Sequence, residues 1–505
     1  MRRINRKCEK NMIGEALKKA REYETEKEKE ISSYERPVFH LSPRVGWMND
    51  PNGFSYFNGK YHLFYQYHPY NTVWGPMHWG HAVSNDLLHW EYLPAAIAPD
   101  EGYDKDGCFS GSALALEDGR HLLMYTGVRR ETQPDGTVKD IQAQCIAVGD
   151  GLNYTKYDKN PVLSQKDLPE GASKFDFRDP KIWKGEDGTF YCVVGNRHIT
   201  KQGQILLFSS KDGFDWKYDS VLACNDNRYG RMWECPDFFK LEDKWILITS
   251  PQDFIPQGLE FDNGNVTLGI IGEFDNQTEK IKEQQIQSLD YGIDFYAPQT
   301  TLAPDGRRIM IGWMQNWDTC QMCPDDAKWF GQMSLPRELF LRNNRICQRP
   351  VREIENMRSD KIGFHKDYFS DEFTLCGING RTIDMEIRLR PFDASNHYRK
   401  FEMDFAKNGL YYTSLIFDPI EDTIEIDRKH CGSRRAIAHQ RKCKAYYKNN
   451  ELNLRIILDR FSAEIFVNDG ESVITTTMFT DQSADRISFR ADGKAQMDIV
   501  KYNLN

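Results

Sequence analysis

The sequence predicts an all-β chain: a five-bladed β-propeller followed by a C-terminal β-sandwich, with a short N-terminal helical segment. Three observations carry this. A polar start, an aromatic strand and a Trp-terminated hairpin recur up to Pro350. Beyond Pro350 a strict period-two alternation takes over. The 505 residues are also too many for one compact core, so at least two domains are expected.

Residues 1–35 come first. "MRRINRKCEKNMIGEALKKAREYETEKEKEIS" is charged and partly amphipathic, and it lacks the apolar core of a secretory signal. It is expected to be a solvated helical lead-in, the alternative being an interaction segment.

Residues 36–349 hold the repeat. "DPNGFSYFNGKYHLFYQYHP" is followed by "WGHAVSNDLLHW", and "DPKIWKGEDGTFYCVVGNR" by "GQILLFSSKDGFDW". Weaker copies begin at Phe109, Glu234 and Ala297, so the starts lie about 55–70 residues apart. Each unit has three or four short strands and cannot bury both its faces alone. Five units in a ring bury each sheet against its neighbours, within the ~4–8 blades usual for a propeller. First strands line the axis, so residues at equivalent blade starts converge although they are far apart in sequence.

Residues 350–505 alternate. In "RTIDMEIRLRP", Ile383, Met385, Ile387 and Leu389 mark one face and Asp384, Glu386 and Arg388 the other. Half-buried strands with tight turns read as a β-sandwich. It is expected to stabilise the propeller; the alternative roles are sugar binding or formation of a homodimer.

Composition removes several classes of function. The net charge is −9 with no basic stripe, so no nucleic-acid partner is expected. No apolar run reaches the ~18 residues of a membrane span. Twelve cysteines are scattered without a framework, which reads as reduced thiols in a cytoplasm. Cys320 and Cys323 have CxxC spacing but no second ligand pair, so they are expected to be loop thiols rather than a metal site. His78 and His81 are expected on opposite faces of a strand, not as a metal pair. Aromatic residues make up 13% of the chain, which suits sugar stacking or β-rich cores.

Three carboxylates open blade-start strands: Asp50 in "MNDPNG", Asp179 in "FRDPKI" and Glu234 in "WECPDF". Like charges crowding one channel mouth cost free energy, so stability alone does not account for them. A pair of carboxyl groups suits glycoside hydrolysis, one attacking the anomeric carbon and the other protonating the leaving oxygen. Glu234, among Met232, Trp233, Cys235 and Pro236, is expected to be the desolvated acid. Asp50, near Asn49, Asn52 and the amides around Gly53, is expected to be the ionised nucleophile. In "WMNDPNG" the proline and glycine are expected to fix a loop, with Asp50 facing inward. Cys235 reads as packed beneath the acid, and Tyr296 and Gln299 as shaping a blade start.

At these residues the chain resembles the family 32 glycoside hydrolases: invertases, sucrose-6-phosphate hydrolases, inulinases and levanases. "WMNDPNG", "FSGS", "FRDP", "WECPD" and "LPRE" occur in the family's order, and the resemblance covers about residues 36–505. It implies the same propeller and sandwich. It implies Asp50 as nucleophile, Glu234 as acid/base and Asp179 as transition-state stabiliser. It further implies that Arg178, Asn49, Gln66, Trp74, Phe109 and Ser110 hold a fructosyl ring, with Trp313 a weaker candidate. The implied reaction is retaining hydrolysis of a terminal β-D-fructofuranosyl residue through a fructosyl-enzyme, with no cofactor and no metal. Sucrose, sucrose 6-phosphate and short fructo-oligosaccharides stay open as substrates. So does the alternative of a fructan exo-hydrolase; a non-catalytic fructan-binding propeller or a related arabinofuranosidase is disfavoured. A phosphate pocket would need converging cations, for which Lys105, Arg129, Arg130 and Lys174 are available. The "NWDTCQMCPDDAKWFGQMS" loop is expected at the pocket rim.

Overall fold

The structure, a computed structural model, describes residues 14–225, 228–321, 323–392, 398–432 and 438–505. The five predicted blade starts each fall on a first strand: Gly46–Phe57, Gly107–Ala115, Ala172–Lys184, Met232–Leu241 and Tyr296–Leu302. In all five blades the sheet runs outward in chain order through antiparallel neighbours. The first strands pack side by side and the fifth closes onto the first. A short strand, Trp329–Phe330, leaves blade 5 and pairs in parallel with Gly46 and Trp47 of blade 1.

The inner strands of a blade are covered on both faces, so they can be apolar along much of their length. Leu63, Phe64, Tyr65 and Tyr67 are all buried, on alternating sides. Phe64, Trp79 and Tyr125 fill the seam between blades 1 and 2. Trp233, Phe238, Val193 and Leu207 fill that between blades 3 and 4.

The N-terminal helix α1 (Glu15–Lys27) is not the solvated lead-in that its charge predicts. Leu17, Ala20 and Glu24 share one face and are buried, against the last strand of blade 1. Burial pushes the Glu24 carboxyl up. The Ala95 amide, at 3.0 Å, and Arg44, at 3.3 Å, satisfy it there.

The second domain is a sandwich of six- and five-stranded sheets. Ile383, Met385, Ile387 and Leu389 face its core, as the alternation predicts. Asp384, on the opposite face, differs from its predicted solvated setting. It is fully buried because Arg358, at 2.8 Å, and Arg455, at 2.7 Å, close over it.

Backbone and charge both join the domains. The Tyr291 and Ile293 amides donate to the Val473 and Thr475 carbonyls at 2.7 and 2.9 Å. Arg337, fully buried, donates to Glu464 and to Asp290, each at 2.9 Å. His40 bridges Asp459 and Glu464, again at 2.9 Å to each. Arg428 pairs with Asp294 nearby.

Two histidine groups set a pH window for stability. Between blades 1 and 2, His62 Nδ1 lies 3.0 Å from His81 Nε2, while His121 is held by Ser55 at 3.0 Å and Tyr154 at 2.8 Å. Burial lowers His62 to about 4, His121 to about 3 and His81 well below its usual value. Their contribution is complete above the ordinary histidine pKa of about 6.5 and is lost as pH falls toward 4, because the unfolded chain takes up protons that the folded one does not. For His40, burial opposes the charge, but the hydrogen bonds it donates to Asp459 and Glu464 prevail and raise it to about 9. That contribution is complete below about pH 6.5 and is lost as pH rises through 9. The unfolding midpoint is therefore expected to peak at roughly pH 6–7 and to fall on both sides. A midpoint still rising from pH 7 to 9 in thermal scans would contradict this balance.

Candidate active site

The "WMNDPNG" stretch lies wholly inside the Gly46–Phe57 strand rather than in a loop. Its polar centre is a β-bulge: Asn49 and Asp50 together oppose the single residue Gln66. The same irregularity recurs at Ser110, Asp179–Pro180, Cys235–Pro236 and Ala297–Pro298 in the other first strands. A bulge kinks its strand and re-aims one side chain. Proline is tolerated there because the ladder hydrogen bond is already lost. The strain is visible: Asp179, Cys235 and Ala297 have φ of +66°, +49° and +51°, sparsely populated for non-glycine residues. Five equivalent kinks thus turn five segments toward one mouth of the ring.

There the segments of blades 1 to 4 line a cavity of about 400 Å3 that contains Asp50, Asp179 and Glu234 together. All six predicted binding residues line it too: Asn49, Gln66, Trp74, Phe109, Ser110 and Arg178. Asp50 accepts from Ser110 Oγ at 2.7 Å and from Asn49 Nδ2 at 3.1 Å; Asn49 is in turn held by Trp47 Nε1 at 2.8 Å. Asp179 accepts from the Cys235 amide at 3.0 Å. The Cys235 thiol reaches Asp50 at 3.5 Å and Asp179 at 3.6 Å, so it lies beneath both carboxylates. Glu234 accepts from Arg178 Nη2 at 2.6 Å and Nε at 3.0 Å, and from the Tyr296 hydroxyl at 2.7 Å. At the rim, Trp74 meets Phe109 edge-on at 5.8 Å.

The electrostatics differ from the sequence-based expectation. Asp50 is not held by Asn52 or by the Gly53 amide; Asn52 Oδ1 instead accepts from the Gly111 amide at 3.1 Å. Burial raises the Asp50 carboxyl, against the Ser110 hydrogen bond, and the Glu234 charge raises it further. Burial also lifts Asp179 to about 7; Arg178 opposes this, while the Glu234 and Asp50 charges reinforce it. Glu234 is not in the dry apolar setting its neighbours predicted, because the bulge directs it onto Arg178 and Tyr296. Burial pushes the Cys235 thiol far up, so it serves as a weak donor.

Sequence reasoning misplaced or missed several residues. Trp313 is fully buried behind Trp47, at 6.0 Å between rings, and is not in the cavity. Trp317 takes that wall instead, from the loop expected at the rim. Tyr296 touches the acid rather than only shaping its blade; its position one residue before the Ala297–Pro298 bulge was the available signal. Asp140, Gln142, Phe175 and Asp176 complete the lining from blades 2 and 3. Of the cations considered for phosphate, Lys105, Arg129, Arg130 and Lys174, none is in the lining. His78 and His81 have separate partners, Pro76 and His62.

Comparison with known proteins agrees with this construction. The Glycosyl hydrolases family 32 N-terminal domain matches residues 40–350, and the Glycosyl hydrolases family 32 C terminal matches residues 353–504. A raffinose invertase of Escherichia coli is 37% identical over 475 residues, covering 90% of this chain and 92% of that protein. A sucrose-6-phosphate hydrolase of the same organism is 37% identical over 468 residues, covering 90% and 91%. The structure of a GH32 beta-fructofuranosidase from Bombyx mori superposes with a TM-score of 0.82 at 35% identity, covering 97% of this chain and 98% of that one. Ring and sandwich are thus those of a glycoside hydrolase, and the chain belongs to glycosyl hydrolase family 32.

Proposed function

We propose that the chain is a retaining β-fructofuranosidase acting on the terminal fructosyl unit of sucrose-type substrates. The observation that carries the reading is the single cavity in which Asp50 and Glu234 stand apart in environment, one on neutral donors and the other on Arg178 and Tyr296. Asp50, oriented by Ser110 and Asn49, attacks C2 of the fructosyl ring. Glu234 protonates the departing oxygen and then activates the water that releases fructose. Asp179, fixed by the Cys235 amide, binds ring hydroxyls. Arg178 exchanges its hold on Glu234 for a sugar hydroxyl as substrate enters. The raffinose invertase, sucrose-6-phosphate hydrolase and β-fructofuranosidase relatives support this substrate class. A cytoplasmic setting fits the buried thiols of Cys108, Cys192 and Cys235. Retention is tested by proton NMR of the first turnovers: β-fructofuranose is the expected initial product, and an α product would overturn the double-displacement reading.

The N-terminal helix supports the pocket wall. Tyr23 of α1 packs edge-on against Tyr70 at 5.0 Å, in the segment that carries Trp74. There His68 Nδ1 bonds the Val73 carbonyl at 2.8 Å. Tyr23→Ala removes an aromatic pair worth ~0.5–1.5 kcal/mol. It is expected to raise KM for sucrose by about two- to tenfold while leaving kcat within about twofold. Equal KM values in the two proteins would show that the helix has no hold on the rim.

A further inference from the structure

The charge balance of the cavity bears on which aglycone it accepts. Its lining holds five carboxyl groups, Asp50, Asp140, Asp176, Asp179 and Glu234, against one guanidinium, Arg178. With Glu234 carrying the proton it donates, four carboxyl groups remain in the lining beside that single guanidinium. Arg178 is itself bound to Glu234 at 2.6 Å and lies 3.5 Å from Asp176.

Two rim arginines are also engaged, and a third cation, Lys139, lies 6.0 Å over the Phe175 ring. Arg130 pairs with Asp140 at 3.3 Å, and Arg197 with Asp176 at 2.7 Å. Both arginines stand outside the lining and their partners stand inside it. To take a phosphate, either guanidinium would have to share its remaining N–H donors, bringing a dianion beside the carboxylate it already holds. A cleft with low-dielectric walls focuses such a field on whatever enters it. Asp140 and Asp176 are also half-buried acceptors in the cavity lining. Phe175 adds an exposed ring to the same lining. This is the equipment for the hydroxyls and ring face of an uncharged sugar.

We infer that the cavity selects a neutral glycosyl aglycone and rejects a phosphorylated one, with Asp140 and Asp176 as specificity-determining residues. The inference rests on the fructosidase reading and narrows it from sucrose-type substrates to unphosphorylated ones. Repulsion is the working element, as in other sites that discriminate by adverse charge.

The test is kcat/KM for sucrose and for sucrose 6-phosphate, measured side by side with the whole chain at low ionic strength and again in 0.5 M NaCl. Sucrose is expected to be favoured by about tenfold or more at low salt. The gap is expected to narrow severalfold in high salt, where screening shortens the reach of the field. Asp140→Asn frees Arg130 and removes one carboxylate. It is expected to raise the sucrose 6-phosphate to sucrose ratio about three- to tenfold. Sucrose 6-phosphate as the equal or better substrate overturns the inference and leaves the fructosidase reading standing. So does a preference for sucrose that salt does not change. No fructose from either compound overturns the fructosidase reading, and this inference falls with it.

Discussion

Replacing Asp50 with Asn is expected to lower kcat on sucrose by more than ~10^4-fold, because on the proposed mechanism it removes the nucleophile that forms the fructosyl-enzyme. The substitution is nearly isosteric, and Ser110 and Asn49 remain to orient the amide. The loss is therefore chemical rather than structural, and it is expected on every substrate, whatever its leaving group. Glu234→Gln gives the contrasting profile. Loss of the proton donor costs ~10^2–10^4-fold on sucrose, whose glucosyl oxygen leaves poorly. An aryl fructoside with an acidic phenol needs no such help, so its fructosylation step should fall far less. Azide should then restore part of the turnover by replacing the activated water. The measurement is a two-by-two comparison of variant against leaving group. Parallel losses for both variants on both substrates would mean that the two carboxyl groups do not divide the work in this way.

The second large effect is on stability. Arg337→Ala is expected to cost ~3–5 kcal/mol, the usual consequence of leaving a buried charge without its partner. Arg337 is fully buried and serves Glu464 from the sandwich and Asp290 from the segment before blade 5. Its removal leaves two carboxylates in a dry seam with only His40, Thr475 and backbone donors to hold them. Its ring contact with Phe295, at 4.7 Å, is lost as well. Urea unfolding should move to lower concentration by an amount far beyond that of an exposed control such as Arg120→Ala, whose ion pair is half exposed. A shift no larger than the control's would show that the seam tolerates unpaired charge. The residue is remote from the cavity, so the folded fraction should retain its kcat.

Much of this molecule was legible in its residues, and the reasons are physical. Two blade starts stood out because Asp50 and Asp179 are each followed by proline and then an aromatic strand, and the other three followed from the repeat spacing. The repeat placed Asp50, Asp179 and Glu234 at matching positions without any knowledge of distance. The bulge itself was not legible: Asp-Pro is a turn signal nearly everywhere, and only the register opposite Gln66 shows that the strand continues through it. The environments of the two acids were misjudged for the same reason. Neighbours in sequence predict a dry Glu234, but a kinked strand aims it at Arg178 and Tyr296, which are remote in the chain. Trp317 could not be told from Trp313, since both sit in one stretch and only the fold decides which ring reaches the cavity. The helix was misread because a face of three buried positions is easily hidden among glutamates and lysines.

The amides of Tyr291 and Ile293 do more than attach one half of the molecule to the other. They occupy the rim of the six-stranded sheet at Ser472–Thr477, its outermost strand. Cut free, that sheet would offer a row of unused carbonyls to any extended chain it met, which is a route to sticky, self-templating assemblies. Fragments of this enzyme produced separately, or grafted onto foreign partners, therefore need a substitute for those few residues before they can be handled in solution.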